Sequence, residues 1–538
     1  MYSRRTLMKQ RLTVIFLSFG LIFLIVGVAW AGSPGEGLSV QQAQENPQNC
    51  TSCHTGIENI VDPSSGMGSL ILSLGECTVC HGGDPEASTV ETAHGPEGQF
   101  FPDPGSPWIA EKTCGRCHLQ YADALVRSLM HTEAGKIQGN LWAWGVQGDQ
   151  VVRYGNYTIA DEDGITPVFG SETYQAYMEA MIARFPDQFP RQLDRLPAPT
   201  LDEIVADPAL AAYTYQRNQC QRCHTGVPGR DRRGDYRGMG CSSCHIPYSN
   251  DGFYEGSDPT VPKDEAGHVL VHEIQATREK RQGIPVETCT TCHNRGKRIG
   301  VSFEGIMEFP YGTAFSPEGS TQSPLHTKKY LFIKDDLHHD PLSREGNPEG
   351  GMLCQDCHTG IEMHGDGNIF GTTLAQVEIE CTDCHGTTDR FPWELPLGYG
   401  EESFLIALTN QPRGTTDQLP NHMTQGTVYD PEDGYLLTTR GNPFGNVVRR
   451  GDQVVVNSAS GRTFVVPTIK SIQLAGTWKS LDAEVGMQSV SQHMASMECY
   501  ACHADWAPQC YGCHVAADYS GGNQGTDWVA AGNTQNPD

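Results

Sequence analysis

Positive charge is what this chain has least of. Its 538 residues carry 37 Lys and Arg against 64 Asp and Glu, a formal net charge of −27. Such a body repels phosphate backbones, which excludes nucleic acid as a natural partner and favours a basic patch on a partner protein. Spare cysteine is lacking too: none of the twenty stands alone. Long regular helices find little room among 60 Gly and 33 Pro, so something else must supply much of the core. The length suggests two to four modules.

The first residues set the compartment. Residues 12–31 (LTVIFLSFGLIFLIVGVAWA) are almost all apolar, and Arg4, Arg5, Lys9 and Arg11 precede them without an acid. Ala29-Trp30-Ala31 has the A-x-A form of a signal peptidase site, so residues 1–31 are expected to be a cleaved signal peptide. A membrane anchor is the other reading, since twenty such residues span a bilayer. Either way the basic end stays inside and the rest is exported. The body is then periplasmic or extracellular, or anchored to the cytoplasmic membrane facing the periplasm. The first cysteine after the run is Cys50, which leaves no lipoprotein anchor at the cleavage point.

The twenty cysteines form ten C-x-x-C pairs, each followed at once by histidine. They are Cys50/Cys53/His54, Cys77/Cys80/His81, Cys114/Cys117/His118, Cys220/Cys223/His224 and Cys241/Cys244/His245. The other five are Cys289/Cys292/His293, Cys354/Cys357/His358, Cys381/Cys384/His385, Cys499/Cys502/His503 and Cys510/Cys513/His514. Two thiols at this spacing can add to the two vinyl groups of one haem, and the next residue then aims an imidazole at the iron. A disulfide framework has no use for histidine after every pair. Zinc needs four ligands per ion, and ten thioredoxin-like pairs in one chain would be strange. The expected cofactor is haem c, ten per chain.

The sixth position on each iron decides between electron carrier and open substrate site. Ten histidines lie outside the motifs. His94, His131, His268, His272, His326, His338, His339, His364 and His493 are the candidate second ligands. His422, in a polar Pro-flanked loop, is the candidate bystander. His94 and His131 each follow a motif histidine by 13 residues, and His131 sits in a stretch of helical spacing with Leu125, Leu129 and Met130. Met130, Met363 and Met494 are alternative ligands that would raise a potential, against the commoner role of a core methionine.

Along the chain the motifs cluster. Residues 32–118 make a three-haem module, 220–385 a five-haem module and 499–514 a two-haem module. Between them lie a helical haem-free segment, 119–219, and a second haem-free segment, 386–498. In the first, 171–185 (SETYQAYMEAMIARF) reads as an amphipathic helix ended by Pro186. In the second, the runs 435–439, 446–450, 453–457 and 463–467 predict a small antiparallel β insert, either a docking element or a passive insertion. Residues 515–538 read as a flexible tail. Arg230, Arg232, Arg233 and Arg237 suit haem propionates or a solvated loop equally. The acidic turns at 161–163 and 430–433 offer oxygen ligands to calcium, although acidic turns are common.

Through its motifs, over residues 50–514, the chain resembles the multihaem c-type cytochromes. That group includes class III tetrahaem cytochromes, membrane quinol-oxidising cytochromes, octahaem hydroxylamine oxidoreductase-like proteins and extracellular decahaem cytochromes. The resemblance implies a mainly α and irregular fold organised around stacked haems. It also implies electron transfer in respiration or to an extracellular acceptor. Partners would be redox proteins: a quinol-linked or soluble donor, and a downstream cytochrome or extracellular acceptor. Membrane association would run through residues 12–31. No C-x-x-C-K occurs, unlike the lysine-ligated reductases of this broad group. Two alternatives remain open: a multihaem oxidoreductase with one open iron acting on a small nitrogen or sulfur compound, and a homo-oligomer forming an extracellular filament.

Overall fold

The computed structural model describes residues 49–57, 60–61, 63–96, 99–161, 167, 169–220, 240–246, 254, 256–264, 283–290, 292–293, 303–308, 330–332, 335–339, 351–400, 411–424, 428–503, 515–517 and 528–530. The expected leader, Cys223, His224, His268, His272, His326, the Arg-rich loop, and Cys510, Cys513 and His514 lie outside them, as do the side chains of Cys220 and Met494. Among the described residues no helix is long and apolar enough to cross a membrane. Residues Met1–Cys53 and His54–Asp538 form two compact units. In the first, the described residues make one turn of helix, α1 (Asn49–Cys53).

In the second unit most motifs are likewise single helical turns. They are α2 (Cys77–His81), the start of α3 (Gly115–Leu125), α5 (Ser242–His245), α6 (Val286–Thr290), α7 (Cys354–Cys357), α9 (Thr382–His385) and α10 (Tyr500–His503). One bond recurs. The histidine N–H donates to the first cysteine carbonyl at 2.9–3.0 Å in the third, fifth, sixth, seventh, eighth and ninth motifs. This closes a single turn with both cysteines and the histidine on it. Gly82 and Gly386 follow two of the turns at φ 65° and 66°, a backbone that halts a helix at little cost.

Two elements supply the regular core. Helix α4 (Glu172–Arg184) starts at Ser171, whose side chain accepts from Tyr174 N–H. Tyr174, Tyr177, Met178, Met181 and Ile182 form its buried stripe, at the spacing the sequence predicts. The stripe packs on Ala124 of α3, Ile361 of α8 (Gly360–His364), and Phe370. Each fully buried side chain of that kind stabilises by about 1.5–3 kcal/mol.

Among the described residues the strands form four sheets. β1 (Tyr154–Gly155), β2 (Ile159–Ala160) and β3 (Gln192–Arg195) make a three-stranded one, and β4 (Ile306–Glu308) pairs with β5 (Tyr330–Phe332). The largest is five-stranded and antiparallel: β6 (Thr415–Thr416), β7 (Tyr435–Leu437), β8 (Pro443–Arg450), β9 (Gln453–Asn457) and β10 (Thr463–Val466), paired in chain order. Arg450 pairs with Gln453 across a two-residue turn whose Gly451 has φ 58°, the positive value tight hairpins demand. Val454, Val455 and Val456 are buried in succession because both faces are covered. Val447, Val454, Val456 and Phe464 face a cluster with Met352, Phe391 and Trp393, against which Cys357 and Cys384 pack. Val448 and Val455 face Tyr435 and Leu419 on the other side. This sheet therefore shares one core with the seventh and eighth motifs. Within 515–538, β11 (Val515–Ala517) pairs antiparallel with β12 (Trp528–Ala530).

Candidate metal centres

The motif turns bring cysteines of different motifs together, and they do so by a rule. The first cysteines of two motifs are hydrogen-bonded in three places: Cys114 with Cys241, Cys289 with Cys354, and Cys381 with Cys499. Second cysteines meet elsewhere. Cys357 and Cys384 pack on one cluster, and burial, then the nearby Cys384, raises the Cys357 thiol. Burial, then Cys114, pushes the Cys80 thiol up to about 11, which places the second motif against the third. Helices α5 and α6 are in contact. His54, His94, Phe100 and His81 form a file of rings at 6.3, 4.2 and 5.9 Å. His54 and seven motifs of the second unit thus follow one another in space: His54, then the second, third, fifth, sixth, seventh, eighth and ninth motifs.

Other predicted attachment residues stand outside these buried contacts. In the third and ninth motifs Cys114 and Cys499 are half-buried, whereas Cys117 and Cys502 are exposed. Cys114 and Cys499 each bond a first cysteine of another motif. The second cysteine, three residues on, lies about 4.5 Å further along its turn, beyond that contact. The Cys117 and Cys502 N–H groups donate to the Cys114 and Cys499 carbonyls, both at 3.2 Å. In the fifth and sixth motifs Cys244 and Cys292 are half-buried, and their N–H groups donate to the Cys241 and Cys289 carbonyls at 3.3 and 3.1 Å. Among the described residues three motif histidines, His118, His293 and His503, are exposed and not enclosed in a core as a ligand would be. His118 leaves helical backbone within α3, at φ −116° and ψ 43°, and lies near enough to His364 to help lower it. His293 N–H closes its turn on Cys289 O at 2.9 Å. The protein alone does not fully cover these seven side chains; a porphyrin held by the same turns is large enough to do so. For the fourth motif, neither Cys223 nor His224 lies among the described residues.

The histidines meet in pairs. His54 faces His94 at 6.3 Å between ring centroids, His245 faces His364 at 6.2 Å, and His385 faces His338 at 6.2 Å. Each pair is one motif histidine and one from outside the motifs. Two bonds of about 2 Å from imidazole nitrogens to one metal, plus half a ring at each end, require roughly this separation. Among the described residues no three His, Cys, Asp or Glu side chains converge as a bare ion would need. Sequence distance does not foretell the pairs: His94 meets His54 rather than the nearer His81, and His338 meets His385, 47 residues on.

Ring orientation is set from behind. His54 Nδ1–H donates to Asp258 Oδ2 at 2.7 Å, and His338 Nδ1–H to Asp336 Oδ1 at 2.9 Å. His358 Nδ1–H donates to Glu362, one turn on. Backbone carbonyls take the same role for His81 (Phe101 O, 2.9 Å), His385 (Pro467 O, 2.9 Å) and His364 (Gly360 O, 2.8 Å). Carboxylates and carbonyls only accept, so each ring holds its proton on Nδ1 and presents the Nε2 lone pair to a metal. Burial, then His245, lowers His364 to about 4, so its imidazole is neutral.

The other predicted ligands divide. His131 is buried against Trp108 and Tyr157, and burial lowers it to about 4. His339 lies against Phe303 at 4.9 Å. His493 sits on the short helix Ser491–Ser496. His422, a bystander by its sequence context, is instead buried between Tyr121 and Phe169, lowered to about 4 by burial, with Nε2 unpartnered among the described residues. Its polar loop carries no sequence signal of that burial. Met130 and Met363 are half-buried. The 430–433 turn binds itself: Asp430 accepts from Glu432 N–H, Asp433 from Gly451 N–H, and Glu432 pairs with Arg450.

The sheet holds the two motifs it covers. Asp356 accepts from Leu353 N–H at 2.8 Å, Ser458 Oγ at 2.5 Å and Ala459 N–H at 2.9 Å. Asp383 accepts from Glu380 N–H at 3.0 Å and Arg413 Nη1 at 2.5 Å. Arg413 Nε and Nη2 are buried without partners among the described residues. Paired cysteines, a lone-pair nitrogen aimed at each paired position and an orphaned guanidinium edge suit a group that brings two reactive vinyls, an iron and carboxylates. The residues present fit haem. No protein-family model, curated protein or solved structure matches this chain.

Proposed function

We propose that this chain is a multihaem c-type cytochrome that carries electrons along a row of covalently attached haems outside the cytoplasm. The observation that carries the reading is the 6.2–6.3 Å spacing of three motif histidines from three non-motif histidines. That separation suits a metal ligated from both sides. Haem, when bound, supplies a one-electron iron couple. The chain's own residues do the rest. Each C-x-x-C pair holds one group, and the following histidine ligates it. His94, His364 and His338 close the sixth positions opposite His54, His245 and His385. Asp258, Asp336, Glu362 and the carbonyls of Phe101, Pro467 and Gly360 fix ring tautomer and orientation. His54 and the seven motifs that follow it make a continuous row suited to passing electrons between ends.

The acidic body, with its net charge of −27, suits docking to basic redox partners. A quinol-linked or soluble donor and a downstream cytochrome or extracellular acceptor belong to the same proposal, as does export by way of residues 1–31. The test is direct. Intact mass of the matured protein is expected to show ten added haems, with a Soret band and low-spin resonance signals. Fewer haems than motifs, or dominant high-spin iron, would overturn a fully two-sided carrier.

A further inference from the structure

We infer that three buried carboxylates, Asp258, Asp336 and Glu362, favour ferric iron at the first, eighth and seventh sites. The inference rests on the reading above and adds which irons differ and why. The side chains of Asp258, Asp336 and Glu362 are 0, 3 and 2% exposed, and each accepts the Nδ1–H of an axial imidazole: His54, His338 and His358. His338 serves the eighth site because its ring faces His385.

The physical argument has two parts. A full negative charge on Nδ1–H draws the ring toward imidazolate, which strengthens Nε2 as a donor to the more positive iron. The charge would also lie across a single imidazole from a bound iron and away from water, where Coulomb terms are weakly screened. A backbone carbonyl offers the same hydrogen bond with only a partial charge. At His81, His385 and His364 a backbone carbonyl stands at Nδ1 instead. Each carboxylate accepts a backbone N–H as well. Asp258 accepts from Thr260 N–H at 2.8 Å, Asp336 from His338 N–H at 2.9 Å, and Glu362 from Glu378 N–H at 3.2 Å. They are built into the fold, not adventitious neighbours.

The experiment is spectroelectrochemical titration of the matured full chain, its haem count and low-spin signals checked first. If the haems are absent, the reading of function fails before this inference is reached. With ten haems present, Asp258→Asn, Asp336→Asn and Glu362→Gln are each expected to move one component upward. The expected size is roughly tenfold in the ferric-to-ferrous ratio at fixed potential, equal to about 59 mV for one electron. Glu362→Asp, which draws the charge back from the ring, is expected to move the same component by less. Asp356→Asn is the control: a buried carboxylate of the seventh motif whose oxygens bind Ser458 and Ala459. A control shift equal to that of Glu362→Gln would overturn the inference in favour of general charge. So would amide variants that retain ten haems and leave all ten components in place.

Discussion

The seventh and eighth motifs are near-copies, CQDCH and CTDCH, that lie against one sheet and are anchored by different chemistry. In the seventh, Asp356 is held by neutral donors, the Ser458 hydroxyl and two peptide N–H groups. In the eighth, Asp383 is held by a guanidinium, with both side chains 1% exposed or less. The same aspartate, at the same place in the turn, therefore rests on hydrogen bonds in one copy and on an ion pair in the other. The comparison teaches that the motif specifies the turn and the sheet specifies how firmly it is held. A neutral clamp loses one bond at a time. A buried ion pair, broken from one side, strands a charge.

The largest effect is expected where that charge is stranded. Arg413→Met leaves the Asp383 carboxylate buried and unpaired, and urea unfolding is expected to show a loss of about 3–5 kcal/mol. Adding Asp383→Asn to the same chain removes the charge and is expected to recover much of it. If the single variant is as stable as the parent, the eighth motif is not ion-held and the contrast collapses.

A pH effect of roughly 3 kcal/mol is expected behind the seventh motif. Glu378 is fully buried; desolvation, then the nearby Glu362, pushes it up to about 7 from 4.5. Its carboxyl accepts from Thr359, Asn442 and Thr438. A raised folded value means the native chain binds the extra proton. That stabilisation is therefore complete below about pH 4.5 and is lost as pH rises through about 7. Glu378→Gln is expected to flatten the slope between those values in an unfolding-midpoint series. A slope of opposite sign would show Glu378 to be ionised and paired in the native state.

Next comes the neutral clamp itself. Ser458→Ala removes one charge-assisted bond to Asp356 and leaves Ala459 N–H and Leu353 N–H in place. The expected loss is about 1.5–3 kcal/mol, below that of Arg413→Met. If the order is reversed in denaturant unfolding, the hydroxyl and not the ion pair is the stronger anchor.

Much of this scaffold was legible in the chain. The stripe from Tyr174 to Ile182 and the runs around Val447, Val454 and Phe464 are read from period and β-branching, and they stand as α4 and as strands of the large sheet. The single-turn motifs follow from C-x-x-C-H itself. What faces each motif histidine was not legible. A pairing such as His245 with His364 is a contact over 119 residues, and spacing carries no trace of it. Nor was the identity of the Nδ1 partner: Glu362 is one helical turn from His358, but Asp258 reaches His54 from 204 residues away. The exposure of Cys117 and His118 beside a half-buried Cys114 was not legible either, since ten identical motifs carry no mark of which face each turn shows to solvent. His422 shows the same limit from the other side. Its neighbours Pro420 and Asn421 read as a solvated loop, and Tyr121 and Phe169, brought from elsewhere, pack against it.

The smallest effect concerns the second side chain near Asp356. Asn446 Nδ2 approaches Asp356 Oδ1 at 3.4 Å, while Ala459 N–H already reaches that oxygen at 2.9 Å. A bond at the outer edge of hydrogen-bonding distance, to an acceptor already satisfied, contributes little. Asn446 is half-buried on β8, so its removal leaves no large cavity. Asn446→Ala is therefore expected to change stability by no more than about 0.5 kcal/mol. The value lies in the contrast with Ser458→Ala. A small loss for Asn446 beside a large one for Ser458 means the β9–β10 loop, from Ser458 to Arg462, is what grips the seventh motif. Equal losses would move the grip to the strand face, and the seventh motif would then be held by the sheet's surface and not by its loop.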